Sequence, residues 1–143
     1  MTTQIRCLIS AGPTREWIDP VRFISNPSSG KMGYALAEEA VSRGFVVDLV
    51  SGPVNLQPPT GAEVIKVESA HEMQEAMSRL FDQASLVIMT AAVCDHRPSH
   101  CSGEKIKKSD FPKSLKLVPN NDVVASLAGG RRPGQTIVGF AAE

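Results

Sequence analysis

Short apolar runs alternate with segments of helical period along most of this chain, and that alternation limits the folds open to it. Ile5 to Ile9 is a compact apolar run closed by Ser10-Ala11-Gly12-Pro13, the pattern of a buried strand running into a turn. From Lys31 onward Met32, Ala35, Leu36, Ala40 and Val41 recur at three- and four-residue steps, and Gly44 stands where a helix C-cap belongs. Phe45 to Val50 predicts a second strand, and Glu63 to Val67 a third beyond a Pro-rich loop. Met73, Met77, Leu80 and Phe81 predict a helix with Ser69 as N-cap. Leu86 to Met89 is the most apolar strand and is expected at the centre of the sheet, covered on both faces. Leu115 to Val118 and Thr136 to Phe140 read as further strands, and Asp122 to Leu127 as a short helix. Gly12 to Gly30 and Asp95 to Pro112 read as long loops. The alternation implies right-handed crossovers and an α/β fold, a Rossmann-like three-layer sandwich with a mostly parallel sheet. Residues 1–143 are expected to form one domain. Because the chain stops directly after an apparent core strand, with no helix to cover it, that domain is expected to continue beyond Glu143.

Composition removes several functional classes. Of 143 residues, 42% are hydrophobic and 21% charged, ordinary for a globular protein and unlike a disordered one. Fifteen basic and fifteen acidic residues cancel, so no general field attracts a polyanion and no nucleic-acid partner is expected. No apolar run approaches the ~20 residues of a membrane helix, so no membrane partner is expected. Met1-Thr2-Thr3-Gln4 carries no signal-peptide pattern, and three cysteines at irregular spacing make no disulfide framework; a reducing cytoplasm is the expected location.

In an open parallel sheet ligands bind beyond the carboxyl ends of the strands, which directs attention to three loops. The first contains Ser25-Asn26-Pro27-Ser28-Ser29-Gly30-Lys31-Met32-Gly33. Small residues, two hydroxyls and a lysine at a helix start suit an anion cradle, because that end of a helix presents unpaired N–H donors. An ordinary Ser/Gly helix start is the other reading. The stretch fails the P-loop pattern twice, at Ser25 and at Met32, and no G-x-G-x-x-G follows the first strand. Asp48 lies within its strand instead of at the end, which weakens a ribose-binding role. Arg15 and Arg22 suit a bidentate phosphate or carboxylate clamp, or equally an ion-pair set with Asp19 that holds a long loop. Glu104-Lys105-Ile106-Lys107-Lys108 suits neutralisation of a leaving pyrophosphate, or is a solvated charge run. Asp95, directly after the apolar strand, suits a ribose hydroxyl or a metal-bound water. Cys94, His96, His100 and Cys101 lie within one loop without the paired spacing of a structural zinc site, so no metal site is assigned. Nothing in the sequence sets a base beside Cys94 as a nucleophile.

Taken together, several segments resemble one family. Ala11-Gly12-Pro13-Thr14-Arg15-Glu16, Asp19-Pro20-Val21-Arg22 and Ile24-Ser25-Asn26 through Gly33 are similar to bacterial phosphopantothenoylcysteine synthetase. So are Leu49 to Val54, Ala91-Ala92-Val93-Cys94-Asp95, Glu104 to Lys108 and Val138 to Glu143, in order and spacing. The resemblance implies a ligase of coenzyme A biosynthesis. CTP would activate the carboxylate of 4′-phosphopantothenate as an acyl-cytidylate, and the amine of L-cysteine would then displace CMP. It implies Asn26, Lys105 and Arg22 as catalytic: Asn26 on the acyl-cytidylate carbonyl, Arg22 at the acyl phosphate, Lys105 on the nucleotide phosphates. It further implies that Gly12, Ser28, Ser29 and Gly30 line the phosphate cradle, Ala91 and Asp95 the cytidine pocket, and Asn121, Asp122, Val123, Val124 and Phe140 the rest of the nucleotide site. Mg²⁺ would accompany the triphosphate, a homodimer is implied, and the Lys-Ile-Lys-Lys loop is implied near its boundary. Cys94 and His96 stand where the family more often has Ala and an aromatic residue, and Asn121 replaces a usual proline. No flavin or decarboxylase activity is implied for this chain. Two other classes remain to be weighed: a nicotinamide oxidoreductase, and a nucleotide-binding module without catalysis.

Overall fold

The computed structural model describes residues 4–141. Five strands form a parallel sheet: β1 (Arg6–Ala11), β4 (Val46–Ser51), β5 (Ala62–Lys66), β6 (Leu86–Met89) and β9 (Thr136–Gly139), in the order β5-β4-β1-β6-β9. Helix α1 (Lys31–Ser42) covers one face; α2 (Ala70–Phe81) and α3 (Val123–Gly129) cover the other. This is the doubly wound, three-layer α/β fold that the alternation predicts. The strand order reverses on either side of β1, so a crevice opens at the carboxyl ends of β1 and β6.

Alternate residues of β1 feed the two cores. Cys7, Ile9 and Ala11 face α1 with Val47 and Leu49, while Leu8 packs with Val50, Val87, Met73 and Met77 under α2. The centre of the sheet is therefore β1, not the more apolar β6. Strand β6 buries Val87 and Met89 beneath α2 and α3 but leaves Leu86 and Ile88 half-covered on the α1 face, because α1 lies over β1 and β4. Inside β4, Asp48 is buried and pairs with Arg6 (Nε to Oδ2 2.7 Å, Nη2 to Oδ1 3.1 Å), a structural role that explains its position within the strand.

Helix α2 begins as expected. Ser69 Oγ accepts from the Glu72 N–H at 3.1 Å, and Glu72 returns an acceptor to the Glu68 N–H at 2.9 Å. Helix α1 has the expected span but a different inner face. Gly33, Tyr34, Ala37 and Ala40 are buried, whereas Met32 is 54% exposed and Ala35 faces solvent. Apolar size points to Met32; closeness of approach decides otherwise, because a Cβ on Gly33 would stand 2.4 Å from that of Ala11. Small residues at 33, 37 and 40 let the helix lie against the sheet.

The segment Gly12 to Gly30 is not a free loop. It folds as an antiparallel hairpin, β2 (Arg15–Asp19) and β3 (Arg22–Ser25), with Trp17 opposite Phe23 and their rings 5.0 Å apart in an edge-to-face pair. The turn Asp19-Pro20-Val21-Arg22 carries the signal for it, Asp followed by Pro. A second hairpin, β7 (His96–Pro98) with β8 (Leu117–Pro119), packs beside β2. The polar stretch after Asp95 thus begins in a strand, and the expected strand at Leu115 to Val118 is realised two residues later.

Candidate active site

At the switch point the ends of β1 and β6 continue side by side. The Ala92 N–H donates to Gly12 O at 2.9 Å, and the Thr14 N–H to Ala92 O at 3.3 Å. Over this edge lies Asn26, whose Nδ2 donates to Ala92 O (3.4 Å) and Val93 O (3.3 Å). Both bonds are long, so the amide can exchange them for a ligand at little cost. Ser25 Oγ donates to Thr14 O at 2.7 Å and fixes the chain just before it.

The anion-cradle reading of Ser28 to Lys31 has geometric support. Gly30, with φ +75°, is the N-cap of α1; the Lys31 N–H donates to Ser29 Oγ over a long 3.4 Å, and the first turn holds no acid. The positive end of a twelve-residue helix thus opens at the crevice. A Cβ on Gly30 would stand 3.4 Å from the Gly12 Cα and 2.8 Å from Val54 Cγ1, so the two glycine turns touch each other and the Ser51-to-Val54 loop. Beside them is a cavity of about 440 Å³, lined by Arg15, Tyr34, Ser51, Val54, Lys66 and Glu68 among others. Of these, Tyr34, Lys66 and Glu68 carry no motif, and only the topology reveals them.

The other side of the crevice is bound together by Asn120. Its N–H donates to Asp95 O at 2.7 Å, its Nδ2 to Cys94 O at 2.8 Å, and its Oδ1 accepts from Arg97 at 2.9 Å. The two loops expected around cytidine, Ala91 to Asp95 and Asn121 to Val124, are therefore fastened to one another. Asp122 accepts from the Ala125 N–H at 2.9 Å as the N-cap of α3, and Val123 is buried beneath that helix. Val124 Cγ1 would lie 3.9 Å from a Cβ on Gly139, next to Phe140, whose N–H extends the sheet to Met89 O at 3.2 Å. Gly12, Asn26, Gly30 and Ala91 thus border one edge, and Val124 lies near Gly139 and Phe140 at the end of β9, while Asn121 lines a separate cavity with Ala70, His71, Gln74 and Arg97. The final residues of the Val138-to-Glu143 motif, Ala142 and Glu143, lie outside the described residues.

Arg22 and Lys105 are placed elsewhere, at the far turn of hairpin β2–β3. Asp19, wholly buried, pairs with Arg22, and Lys105 is exposed with no hydrogen-bond or ion-pair partner among the described residues. Loss of solvent alone would raise the Asp19 carboxyl. The Val21, Ile106 and Arg22 N–H groups and the Arg22 guanidinium outweigh it and hold that carboxyl below the ordinary range. Glu16 shows the opposite balance: burial pushes its carboxyl up against the opposing pull of the Ala70 N–H, which it caps at 2.9 Å.

Two of the three cysteines are buried, and burial raises both thiols, Cys7 to about 11. Cys94 also donates to Thr14 O at 3.6 Å. We expect a thiol reagent at pH 8 to modify Cys101 alone in the native protein, with Cys7 and Cys94 reacting only on unfolding. Mass spectrometry of the labelled protein checks this, and rapid labelling of Cys94 would contradict its packing.

No group of three or more His, Cys, Asp or Glu side chains able to hold a metal ion occurs among the described residues. No helix among them is long and apolar enough to cross a membrane. Strand β1 leads into a hairpin instead of directly into α1, so the tight dinucleotide turn of a nicotinamide oxidoreductase is not built.

Residues 2–143 match the family model of the DNA/pantothenate metabolism flavoprotein C-terminal domain. The chain belongs to this family. Relatives named coenzyme A biosynthesis bifunctional protein CoaBC include one from Bacillus subtilis, 51% identical over 95% of this chain and 34% of its own length. Another, from Vibrio parahaemolyticus, is 52% identical over 95% of this chain and 35% of its own. The chain therefore spans about a third of the length of the curated relatives it matches. The crystal structure of the C-terminal domain of a coenzyme A biosynthesis bifunctional protein CoaBC superposes with a TM-score of 0.84 at 46% identity, covering 97% of this chain and 65% of that one. As a member of the flavoprotein C-terminal domain family, the chain shares the three-layer fold with that domain.

Proposed function

We propose that this domain joins 4′-phosphopantothenate to L-cysteine in coenzyme A biosynthesis, using CTP and working in the cytoplasm. The observation that carries the proposal is the convergence on one crevice of Asn26, the α1 N-terminus with Gly12 and Gly30, and the Ala91–Asp95 loop that Asn120 fastens. It supports both the acyl chemistry and the nucleotide in a single place.

The carboxylate of 4′-phosphopantothenate attacks the α-phosphorus of CTP, forming the acyl-cytidylate and expelling pyrophosphate. The cysteine amine then attacks the acyl carbon, and CMP leaves with the carboxylate oxygen. Ser28, Ser29, Gly30 and the α1 N-terminus take phosphate charge. Asp95 is the carboxylate nearest the β6 edge, fitting a ribose hydroxyl. The family resemblance assigns Lys105 to the leaving pyrophosphate and Arg22 to the acyl phosphate. Both stand at the far turn of hairpin β2–β3, so these roles require that turn to reach a crevice other than the one beside Asn26, as in a second copy of the chain, with Arg22 using nitrogens other than Nη1, which is engaged within the protein. The cavity beside Val54 offers the phosphopantothenate arm room and two cations, Arg15 and Lys66. Mg²⁺ would travel with the triphosphate, and Asp95 would offer it a carboxylate. Val21, Phe23 and Leu117 expose apolar surface on the two hairpins, suited to a second copy of the chain in a homodimer.

Pyrophosphate release from CTP with Mg²⁺ and 4′-phosphopantothenate tests the reading. Release that turns over only when cysteine is added supports the ligase. Lys105→Ala should slow release by on the order of 10²-fold. Stoichiometric CTP binding without release, in a chain joined to the remainder of a bifunctional relative, would favour a non-catalytic module instead.

A further inference from the structure

The lysine segment is not a free charge run. The Ser102 N–H donates to Ile18 O at 2.9 Å, the Arg22 guanidinium lies over the Phe111 ring at 4.7 Å, and between these ties Ile106 is held at both ends of its backbone. The Ile106 N–H donates to Asp19 Oδ2 at 3.2 Å, and Arg22 Nη1 donates to Ile106 O, also at 3.2 Å. The two oxygens of Asp19 divide their work. Oδ1 accepts the Val21 and Arg22 N–H groups at 2.9 and 2.8 Å and builds the hairpin turn. Oδ2 takes Arg22 Nη1 and the Ile106 N–H.

We propose that Asp19 is a positioning residue for the lysine segment: with Arg22 it grips the Ile106 peptide from both sides and so holds Lys105 and Lys107 against the hairpin whose second strand leads to Asn26. A turn needs only Oδ1, which an asparagine supplies as well. Oδ2 serves the other segment, and its replacement by an amide nitrogen would set donor against donor at both Ile106 and Arg22. The lysines on either side have no partner of their own among the described residues, so their placement depends on this grip. The functional consequence rests on the CTP reading above; the grip itself does not.

Asp19→Asn keeps the turn and breaks the grip, and Ile106→Pro breaks it from the opposite side by removing the N–H. Well below the unfolding temperature and without nucleotide, both variants should be cut by trypsin after Lys107 and Lys108 about tenfold faster than wild type, with cleavage after Arg79 in α2 unchanged. Equal rates in all three proteins overturn the proposal. Acceleration at Arg79 to the same degree overturns it too, since general loosening would then explain the result. Calorimetric titration with CTP and Mg²⁺ reads the consequence. Asp19→Asn should weaken binding about tenfold, and adding it to Lys105→Ala should cost nothing further. Unchanged affinity in Asp19→Asn overturns the positioning role. Failure of wild type itself to bind CTP overturns the nucleotide reading, and cleavage alone then decides whether Asp19 positions the segment.

Discussion

Asn26→Asp is expected to leave pyrophosphate release from CTP near the wild-type rate while cutting amide formation by about 10²–10³-fold. The amide of Asn26 is the side-chain donor placed over the junction of β1 and β6, held only by two long bonds to Ala92 O and Val93 O. A donor so lightly engaged can turn to the acyl oxygen as charge develops there. A carboxylate in its place has no proton to give. It would also set its oxygens against those two carbonyl oxygens. Rapid-quench measurement of cytidylate and amide in the same reaction separates the steps. If both fall equally, Asn26 acts by placing the Ala91–Asp95 loop for nucleotide and not by polarising the acyl group.

Gly52→Ala and Gly33→Ala are each expected to lower the thermal midpoint by about 2–12 °C, taking overpacking at about 1–3 kcal/mol and roughly 2–4 °C per kcal/mol at this size. A Cβ on Gly52 would stand 1.8 Å from Pro13 O, and the backbone there has no room to yield. Gly33 would meet the Ala11 Cβ at 2.4 Å and Thr90 Oγ1 at 2.6 Å. By helix propensity alone Gly33→Ala should stabilise by up to about 1 kcal/mol, so the sign of the change is itself the test. Calorimetry of the three proteins decides it. A midpoint raised by Gly33→Ala would mean that α1 does not approach the sheet so closely. Both substitutions also displace the glycine turns of the cradle, so phosphate-dependent binding should fall with stability.

Much of the frame was readable in advance. Parallel strands covered on both faces need apolar runs, amphipathic helices need three- and four-residue steps, and Ser69 and Asp122 begin their helices through bonds to the Glu72 and Ala125 N–H groups, within three residues of sequence. The candidate site was readable to the extent that its parts are contiguous: Asn26 to Gly30 and Ala91 to Asp95 are each one loop, and Asn121 to Val124 is a loop end running into α3. Less readable was the stretch Gly12 to Gly30, where turn formers hid a hairpin whose bulge between Trp17 and Asp19 breaks strict alternation.

What the sequence determined by itself, then, is the set of elements, their order and the loops that carry polar chemistry, because each depends on neighbours a few residues apart. Tertiary structure alone decided which strand is central, since β1 lies between β4 and β6 and is covered by α1 on one face and α2 on the other. It decided that α1 turns Gly33 inward and Met32 outward, because distance to the sheet outweighs side-chain size there. It also separated Asp48, spent on Arg6, from Asp19, whose second oxygen reaches a peptide 87 residues away. Those two carboxylates look alike in the chain. The difference between a fold-internal ion pair and a group that places another segment lies wholly in which distant atoms the backbone brings within hydrogen-bond reach.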